Sequence, residues 1–211
     1  MMKKSPRYDT SALTEAQFEP GSRGSVLKNR LGIKGRKEMD EAESVALAVA
    51  TDKILRMYDA DHRFTAEDIT TMHKTWLGGI YGWAGKYRQV NVSKGDFPFA
   101  VAKHIPQLMA EFEKDTLHKH TPCNFKSLER VIQALAEVHV ELILIHPFRE
   151  GNGRVARILS TIMASQAGLP ILNFKDITSK KRKEYFEAIN DGLSRDYKPM
   201  ERLFEKIIEE S

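Results

Sequence analysis

The residues from His146 to Arg157 carry the groups that could do chemistry in this chain. They read His-Pro-Phe-Arg-Glu-Gly-Asn-Gly-Arg-Val-Ala-Arg. The run combines a histidine that can accept a proton, a carboxylate that can hold a metal ion, a turn of two glycines around an asparagine, and two arginines. Together these groups suit the binding and reaction of a polyphosphate. The candidate residues are His146, Glu150, Gly151, Asn152, Gly153, Arg154 and Arg157.

The segment after the turn has the spacing of a helix. From Arg154 to Ala167 apolar residues recur at intervals of three and four, and Gly168 and Pro170 follow. The helix is therefore expected to begin at the Gly-Asn-Gly turn, where free backbone amides and small residues make an anion-binding site. Arg154 and Arg157 share one face of its first turn, where positive charge is unfavourable unless an anion is bound. The alternative is that both arginines simply reach solvent or a nearby carboxylate.

The segment before the turn is predicted to be a second helix. Apolar residues recur at helical spacing over residues 125–145, and Pro147 disfavours helical backbone angles at His146. His146 should therefore lie at the mouth of a helix–loop–helix, where a neutral imidazole can take a proton from a hydroxyl nucleophile. Glu150 can hold Mg²⁺, which usually binds one or two carboxylates together with substrate phosphates. Phe148 is expected to anchor the loop.

A second motif overlaps the first. Gly151, Gly153 and Ala156 have the spacing of a dinucleotide-binding fingerprint, and Asp176 follows about twenty residues later. That fingerprint requires a preceding strand, whereas the preceding segment here has helical periodicity, and the chain shows no alternation of strands and helices. The dinucleotide interpretation is therefore disfavoured.

The composition indicates one globular domain. The chain has 211 residues, 41% of them hydrophobic, which is enough for a single buried core. The net charge of +4 comes from 33 basic and 29 acidic residues mixed along the chain, so no nucleic-acid partner is expected. No apolar run reaches the length of a membrane span, and no secretory signal is evident. One cysteine, Cys123, fits the reducing cytoplasm.

The pattern along the chain predicts an all-α domain that carries one β-hairpin. Residues 1–20 are polar and lack periodicity, so a flexible N-terminal arm is expected there, followed by a single domain over residues 21–211. In the hairpin, residues 89–92 alternate as a strand, residues 93–96 form a turn and residues 97–99 return. Helices are predicted at about residues 36–59, 65–77, 101–118, 125–145, 154–167, 179–192 and 198–209.

The run from His146 to Arg157 resembles the signature of the Fic (filamentation induced by cAMP) family, His-x-Phe-x-Asp/Glu-Gly-Asn-Gly-Arg-x-x-Arg, at every specified position. The similarity extends to residues 83–88, Trp-Ala-Gly-Lys-Tyr-Arg, and in general layout over most of the chain. The resemblance implies a Fic-type helical bundle with an active-site loop at residues 146–154 and a flap at residues 88–100. It also implies a protein adenylyltransferase, which moves AMP from ATP to a protein hydroxyl and releases pyrophosphate.

The resemblance assigns a role to each part of the signature. His146 would be the general base, and Glu150 would bind Mg²⁺. The backbone of residues 151–153, together with the asparagine side chain, would hold the phosphates of ATP. Arg154 and Arg157 would grip the β- and γ-phosphates. These roles agree with the chemistry of the residues themselves, because phosphoryl chemistry depends mostly on positioning and charge neutralisation.

The flap and the adenine pocket are less clearly defined. A short exposed strand edge can pair with an extended peptide through backbone hydrogen bonds, and in the family the flap docks the target protein in this way. Lys94, Asp96 and Phe97 lie at or near its tip and could select or clamp that target. Tyr185 and Asn190 are candidates for the adenine pocket by their place in the layout alone.

Regulation and the alternative functions also follow from the resemblance. Many family members carry an inhibitory run, Ser/Thr-x-x-x-Glu-Gly/Asn, whose glutamate pairs with the second arginine of the signature. The only glutamate followed by glycine or asparagine here is Glu150, so restraint is expected from a separate small antitoxin or from a divergent brake.

The related toxin Doc has lysine at the position that Gly153 occupies in this chain. The glycine at this position favours AMP transfer. The alternatives are a catalytically silent nucleotide-binding or adaptor domain, and a relative that uses another nucleotide or phosphoryl donor.

Overall fold

The computed structural model describes residues 12–179 and 181–211. In that part of the chain the regular structure is helical apart from one two-stranded antiparallel sheet, which confirms the predicted all-α class with one hairpin. The helices are α1 (Arg36–Leu55), α2 (Ala66–Leu77), α3 (Ile105–Phe112), α4 (His118–His120), α5 (Leu128–Ile145), α6 (Asn152–Gln166), α7 (Lys175–Thr178), α8 (Arg182–Asp191) and α9 (Lys198–Glu209). The strands are β1 (Ser93–Lys94) and β2 (Phe97–Pro98).

Helix α5 lies at the centre of the domain. It packs against α6 on one side and α9 on another, while α2 contacts both α1 and α6. Most residues of α5 are buried, and each fully buried leucine, isoleucine or valine contributes about 1.5–3 kcal/mol to stability. The loop between α5 and α6 is therefore held by two helices of the core.

Side chains at the helix starts explain where two of these helices begin. The hydroxyl of Thr65 accepts from the backbone N–H of Asp68 at 3.2 Å, and the carboxylate of Asp68 accepts from the N–H of Thr65 at 2.9 Å. This reciprocal capping box confirms the predicted start of α2. Helix α5 begins after Ser127, whose hydroxyl accepts from the N–H of Arg130.

Several predicted helix boundaries differ from the structure. Helix α1 ends at Leu55 rather than near residue 59. The single helix predicted over 101–118 consists of a 3₁₀ turn, α3, a π-helical turn and α4, because apolar spacing does not distinguish these hydrogen-bond patterns. The helix predicted over 179–192 corresponds mainly to α8, and the short α7 precedes it. None of the helices described is long and apolar enough to cross a membrane.

The described part of the predicted N-terminal arm is packed against the domain. Residues 1–11 lie outside the described residues. Glu15 is buried, and its carboxylate accepts from the backbone amides of Gln89 at 2.6 Å and Val90 at 3.1 Å. Glu15, within the predicted flexible arm, therefore contacts the segment before the hairpin. This contact joins segments that are far apart in sequence, so no local pattern indicates it.

The hairpin is shorter than predicted and displaced along the chain. Its ladder consists of β1 and β2 only, with a two-residue turn between them. The strand predicted at residues 89–92 is therefore wrong, and the turn predicted at residues 93–96 is too long. The backbone amides of Gln89 and Val90 are occupied by the carboxylate of Glu15, so they do not take part in the ladder.

Candidate active site

The residues of the signature lie in the loop between α5 and α6. Helix α5 ends at His146, whose φ of 52° is left-handed, and α6 begins after Gly151, whose φ is 88°. A side chain at residue 151 is excluded, because its Cβ would lie 2.6 Å from the ring of Trp76 and because the positive φ favours glycine. His146 and the N-terminus of α6 border the same cavity.

The side chain of Asn152 holds this loop closed. Its Nδ2 donates to the carbonyl of Phe148, and its Oδ1 accepts from the N–H of Phe148, both at 2.8 Å. Phe148 is fully buried, as expected for an anchor, and its ring stacks on His73 with a centroid distance of 3.9 Å. The amide group of Asn152 is thus engaged within the loop. The predicted contact of this side chain with phosphate stays a prediction.

The side chain of His73 on α2 holds the loop through hydrogen bonds to the backbone. The backbone N–H of Gly85 donates to its Nδ1 at 2.8 Å, so Nε2 carries the proton and donates to the carbonyl of Glu150 at 3.0 Å. Burial lowers the pKa of His73 to about 4, against the opposing effect of the bond to Glu150. His73 is therefore neutral near pH 7 and acts as a fixed bridge between two backbone segments.

His146 has the state that a general base needs. Its Nδ1 lies 3.2 Å from the carbonyl of Ile143, which accepts only from a protonated nitrogen, so Nε2 carries the lone pair. Its ring stacks on Phe99 of the hairpin with a centroid distance of 3.6 Å. Burial lowers the pKa of His146 to about 4; the bond to Ile143 opposes this, and the positive charges of Arg88 and Lys94 add to it.

The buried Arg88 joins the hairpin to His146. Its Nε donates to the carbonyl of His146 at 2.7 Å, and its Nη1 donates to Val90 at 2.7 Å. Its Nη2 donates to Ala100 at 2.5 Å and to Ile145 at 3.4 Å. These carbonyls belong to both sides of the hairpin and to the end of α5. One guanidinium therefore sets the distance between the hairpin and His146.

The signature surrounds a cavity of about 340 Å³ beneath the hairpin, here called the motif cavity. Arg157 lines it, and the partial burial of its guanidinium lowers the pKa of Arg157. In residues 12–179 and 181–211 no hydrogen-bond or ion-pair partner of this guanidinium is found. A buried cation without a partner is costly, and an anion in the cavity would offset that cost. The cavity is lined by Val92, Ser93, Lys94, Phe99, Ile143, His146, Arg149, Glu150, Gly151, Asn152, Gly153, Arg157, Tyr185 and Phe186.

Arg154 is placed differently from Arg157. Its Nη2 donates to the buried carboxylate of Glu43 at 2.7 Å and lies 3.5 Å from Glu150. Arg154 is not among the described residues that line the motif cavity. The two arginines that were predicted to act together are therefore separated, with one paired in the protein and the other facing the cavity.

Glu150 is suited to hold a metal ion together with a ligand. Its side chain is 41% exposed at the motif cavity, and one carboxylate oxygen accepts from the N–H of Gly151 at 3.0 Å. Among the described residues no group of three metal-binding side chains occurs. A single carboxylate that must share its ion with phosphate oxygens fits Mg²⁺, which commonly binds in this way.

The hairpin residues and the adenine candidates divide between two neighbouring cavities. A second cavity of about 330 Å³, here called the apolar cavity, is lined by Lys94, Gly95, Phe97, Phe99, Ile143, Phe186, Ile189 and Asn190. Asn190, one of the two predicted adenine contacts, lines this apolar cavity. Tyr185 instead lines the motif cavity, and its hydroxyl lies 2.8 Å from Nε2 of the buried His139. Asp96 is exposed in the turn of the hairpin.

Several residues of the site were not predicted from the sequence. They are Glu43, His73, Phe99 and Phe186, and Arg88 was noted only as part of a resembling stretch. Each acts through a contact with a distant part of the chain, such as the bond from His73 to Glu150. Only Arg88 had a signal, because residues 83–88 resemble the family's sequence before its flap.

Comparison with known proteins identifies the class. The model of the Fic/DOC family matches residues 63–164, a range that contains α2, the hairpin, α5, the signature loop and most of α6. The N-terminal Fic domain of a VirB-translocated Bep effector protein from Bartonella quintana, solved with bound ADP, superposes with a TM-score of 0.69 at 26% identity. That match covers 86% of this chain and 89% of the other. Residues 63–164 therefore match the Fic/DOC family, and the chain shares the fold of the Bartonella quintana Fic domain.

Among curated proteins, the chain resembles members of the same family with two different lengths. It is 26% identical to "Probable protein adenylyltransferase Fic" of Escherichia coli K12, over 88% of this chain and 89% of that protein. It is also 26% identical to "Protein adenylyltransferase Fic" of Nematostella vectensis, over 96% of this chain but 46% of that protein. The chain thus spans less than half the length of the second relative.

Proposed function

We propose that this protein is a protein adenylyltransferase that transfers AMP from ATP to a hydroxyl side chain of a target protein and releases pyrophosphate. The observation that carries the proposal is the unpartnered guanidinium of Arg157. It lines one cavity together with the neutral His146 and the N-terminus of α6. The names of the relatives and the ADP bound by the Bartonella quintana domain support the same reaction.

The phosphates of ATP would lie in the motif cavity. Free backbone amides at the start of α6 would bind them, because the N-terminus of a helix attracts anions. Arg157 would contact the distal phosphate. Glu150 would hold Mg²⁺, which supplies charge neutralisation for the leaving pyrophosphate. Arg154 would act mainly by shaping the loop, since its guanidinium is already paired with Glu43.

The chemistry would then be a single displacement at the α-phosphorus. The hydroxyl oxygen of the target attacks this phosphorus, and Nε2 of His146 takes the hydroxyl proton. The bond between the α-phosphorus and the oxygen that bridges to the β-phosphate breaks. Pyrophosphate leaves with that oxygen, and the target carries AMP on its former hydroxyl oxygen. The low pKa of His146 keeps the imidazole unprotonated, and therefore able to act as the base, near pH 7.

The adenine and the target would both contact the hairpin, the adenine through the apolar cavity and the target through the strand edge. Adenine would enter the apolar cavity, where Asn190 offers hydrogen bonds and Ile189 an apolar wall. The target segment would pair with the exposed edge of the hairpin, near Asp96 and Phe97. Tyr185 would support the site through its bond with His139 rather than contact adenine.

Restraint of the activity would come from outside the described residues. Within them, no carboxylate lies within ion-pair distance of Arg157, and the glutamate that approaches the signature pairs with Arg154 instead. We therefore expect a small antitoxin that carries the inhibitory run Ser/Thr-x-x-x-Glu-Gly/Asn and covers Arg157. The reaction is expected to take place in the cytoplasm, where ATP is available.

The experiment that tests the function uses ATP labelled at the α- or the γ-phosphorus. The purified chain and a cell lysate are incubated with each label, and protein-bound label is measured for the wild type and for His146→Ala. Label transferred only from the α-position, and only by the wild type, is the expected result. Transfer from the γ-position would instead indicate a phosphoryl donor reaction. Binding of ATP without any transfer would support the silent nucleotide-binding alternative.

A further inference from the structure

The motif cavity and the apolar cavity share one wall. Four of the described residues line both cavities: Lys94, Phe99, Ile143 and Phe186. Three of them are apolar, so Lys94 is the only charged member of this shared wall. The wall therefore presents a single cation at the point where the two cavities meet.

Lys94 is an exposed residue whose ammonium group contacts an aromatic ring on α8. Lys94 belongs to β1, and its Nζ lies 3.5 Å from the centroid of the Phe186 ring on α8. Partial burial and the nearby Arg182 lower the pKa of Lys94, while Glu150 opposes this shift. Lys94 is thus held over the entrance by an aromatic ring, within electrostatic range of the Glu150 carboxylate.

A nucleotide that fills both cavities must cross the shared wall. If its phosphates lie in the motif cavity and its base in the apolar cavity, the ribose and the α-phosphate lie between them. This placement rests on the proposed function. We propose that Lys94 binds the α-phosphate of the nucleotide and stabilises the negative charge on its oxygens during transfer, rather than docking the target protein.

This role complements the groups already in the site. Arg157 and Glu150 meet the distal phosphates and the metal ion, and His146 removes the proton of the attacking hydroxyl. None of these assignments places a cation at the α-phosphorus, where the bond is exchanged. A contact with phosphate is stronger than a partly exposed contact with an aromatic ring, so Lys94 would leave Phe186 when a nucleotide binds. The ammonium stays protonated throughout, since it transfers no proton.

The test separates a phosphate contact from a purely structural one. The full chain is prepared as wild type, Lys94→Met, Lys94→Arg and Lys183→Met, and ATP, ADP, AMP and adenosine compete against a fluorescent ATP analogue. Lys94→Met keeps an apolar side chain over Phe186 but removes the charge. Lys183 is a matched control on α8, because it is exposed and pairs only with Glu187 among the described residues. Initial rates of AMP transfer are measured on the same four proteins.

We expect Lys94→Met to weaken ATP, ADP and AMP by a common factor of about tenfold, since each carries an α-phosphate, and to leave adenosine unchanged. Lys94→Arg should restore most of the affinity, and Lys183→Met should match the wild type. An equal loss for adenosine would reveal a structural role and overturn the inference. Unchanged ATP affinity in Lys94→Met would also overturn it. Failure of the wild type to bind ATP would instead refute the proposed function on which it rests.

Discussion

Arg154 of the signature and Glu43 of α1 form an ion pair, with Nη2 of Arg154 at 2.7 Å from Oε2 of Glu43. The Glu43 carboxylate is buried and also accepts from the hydroxyl of Tyr81 at 2.7 Å. The guanidinium of Arg154 lies over the ring of Trp76, 4.4 Å from its centroid. Arg154 is thereby neutralised by the protein itself. Arg157, three residues later, faces the cavity without such a partner.

Replacing either Arg154 or Glu43 should destabilise the protein. Arg154→Met leaves the Glu43 carboxylate buried without its cation, and Glu43→Gln removes the anion from Arg154. Because the pair is mostly buried, each change should lower the free energy of unfolding by about 3 kcal/mol, measured by urea denaturation. Arg157→Met removes an unpaired, partly buried cation and should cost far less. Equal losses for Arg154→Met and Arg157→Met would contradict the difference between the two arginines.

Arg157→Ala should weaken ATP far more than ADP. The guanidinium is expected to meet the most distal phosphate, and a charge-assisted contact of this kind is worth roughly 1.5–3 kcal/mol. The measurement is a calorimetric titration of each nucleotide with Mg²⁺ present. Arg202→Met, an exposed change on α9, is the control and should bind both nucleotides as the wild type does. Equal losses of ATP and ADP would argue against a contact with the γ-phosphate.

His146→Ala should abolish AMP transfer while ATP still binds. The variant loses the base, which is worth roughly 10²–10⁴-fold in rate, but it keeps the amides of α6 and the guanidinium of Arg157. Transfer is followed with α-labelled ATP, and binding is followed by calorimetry on the same sample. Retained turnover at the wild-type rate would exclude His146 as the base.

Glu150→Gln should remove the dependence on Mg²⁺. Its carboxylate is the acidic group of the signature at the motif cavity, and the amide keeps the bond from the N–H of Gly151. ATP affinity and transfer rate are measured with Mg²⁺ and with excess chelator. The wild type should lose transfer in chelator, and the variant should be slow in both conditions. Full wild-type activity in chelator would refute a role for the metal ion.

The stability of the protein should fall as the pH decreases below about 6.5. Burial lowers the pKa of His139 to about 3 and the pKa values of His73 and His146 to about 4, so all three are neutral in the folded state. The unfolded chain binds protons at these histidines near pH 6.5. Between pH 6.5 and about 4 the unfolded state therefore holds more protons, and the free energy of unfolding decreases with falling pH.

Within that pH window, each buried histidine should lower the free energy of unfolding by up to about 1.4 kcal/mol for each unit by which the pH falls. Urea denaturation at pH 7.5, 6 and 5 measures the dependence. The variant His139→Leu loses its bonds to Ser160 and Tyr185 and should be less stable at every pH, yet its stability should change less between pH 7.5 and 5. An identical pH dependence in wild type and variant would show that folding does not lower the pKa of His139.

The local sequence was sufficient to predict the helices and the turn that carry the candidate residues of the site. Apolar spacing and Pro147 predicted a helix that ends at His146, and Gly151 predicted the turn before the next helix; the structure confirms both. Such features depend on residues within one or two helical turns of each other, so they appear directly in the sequence. The all-α class and the existence of a hairpin follow from the same kind of local pattern.

Only the tertiary structure decided which groups face the cavity. Arg154 and Arg157 look equivalent in the sequence, but Glu43 on a distant helix pairs with Arg154, whereas Arg157 lines the motif cavity. In the same way, the carboxylate of Glu15 accepts from the backbone amides of Gln89 and Val90, so these residues do not join the ladder that was predicted for them. These ion pairs and hydrogen bonds form between segments brought together by packing of the core. They have no periodicity along the chain, and no local sequence pattern encodes them.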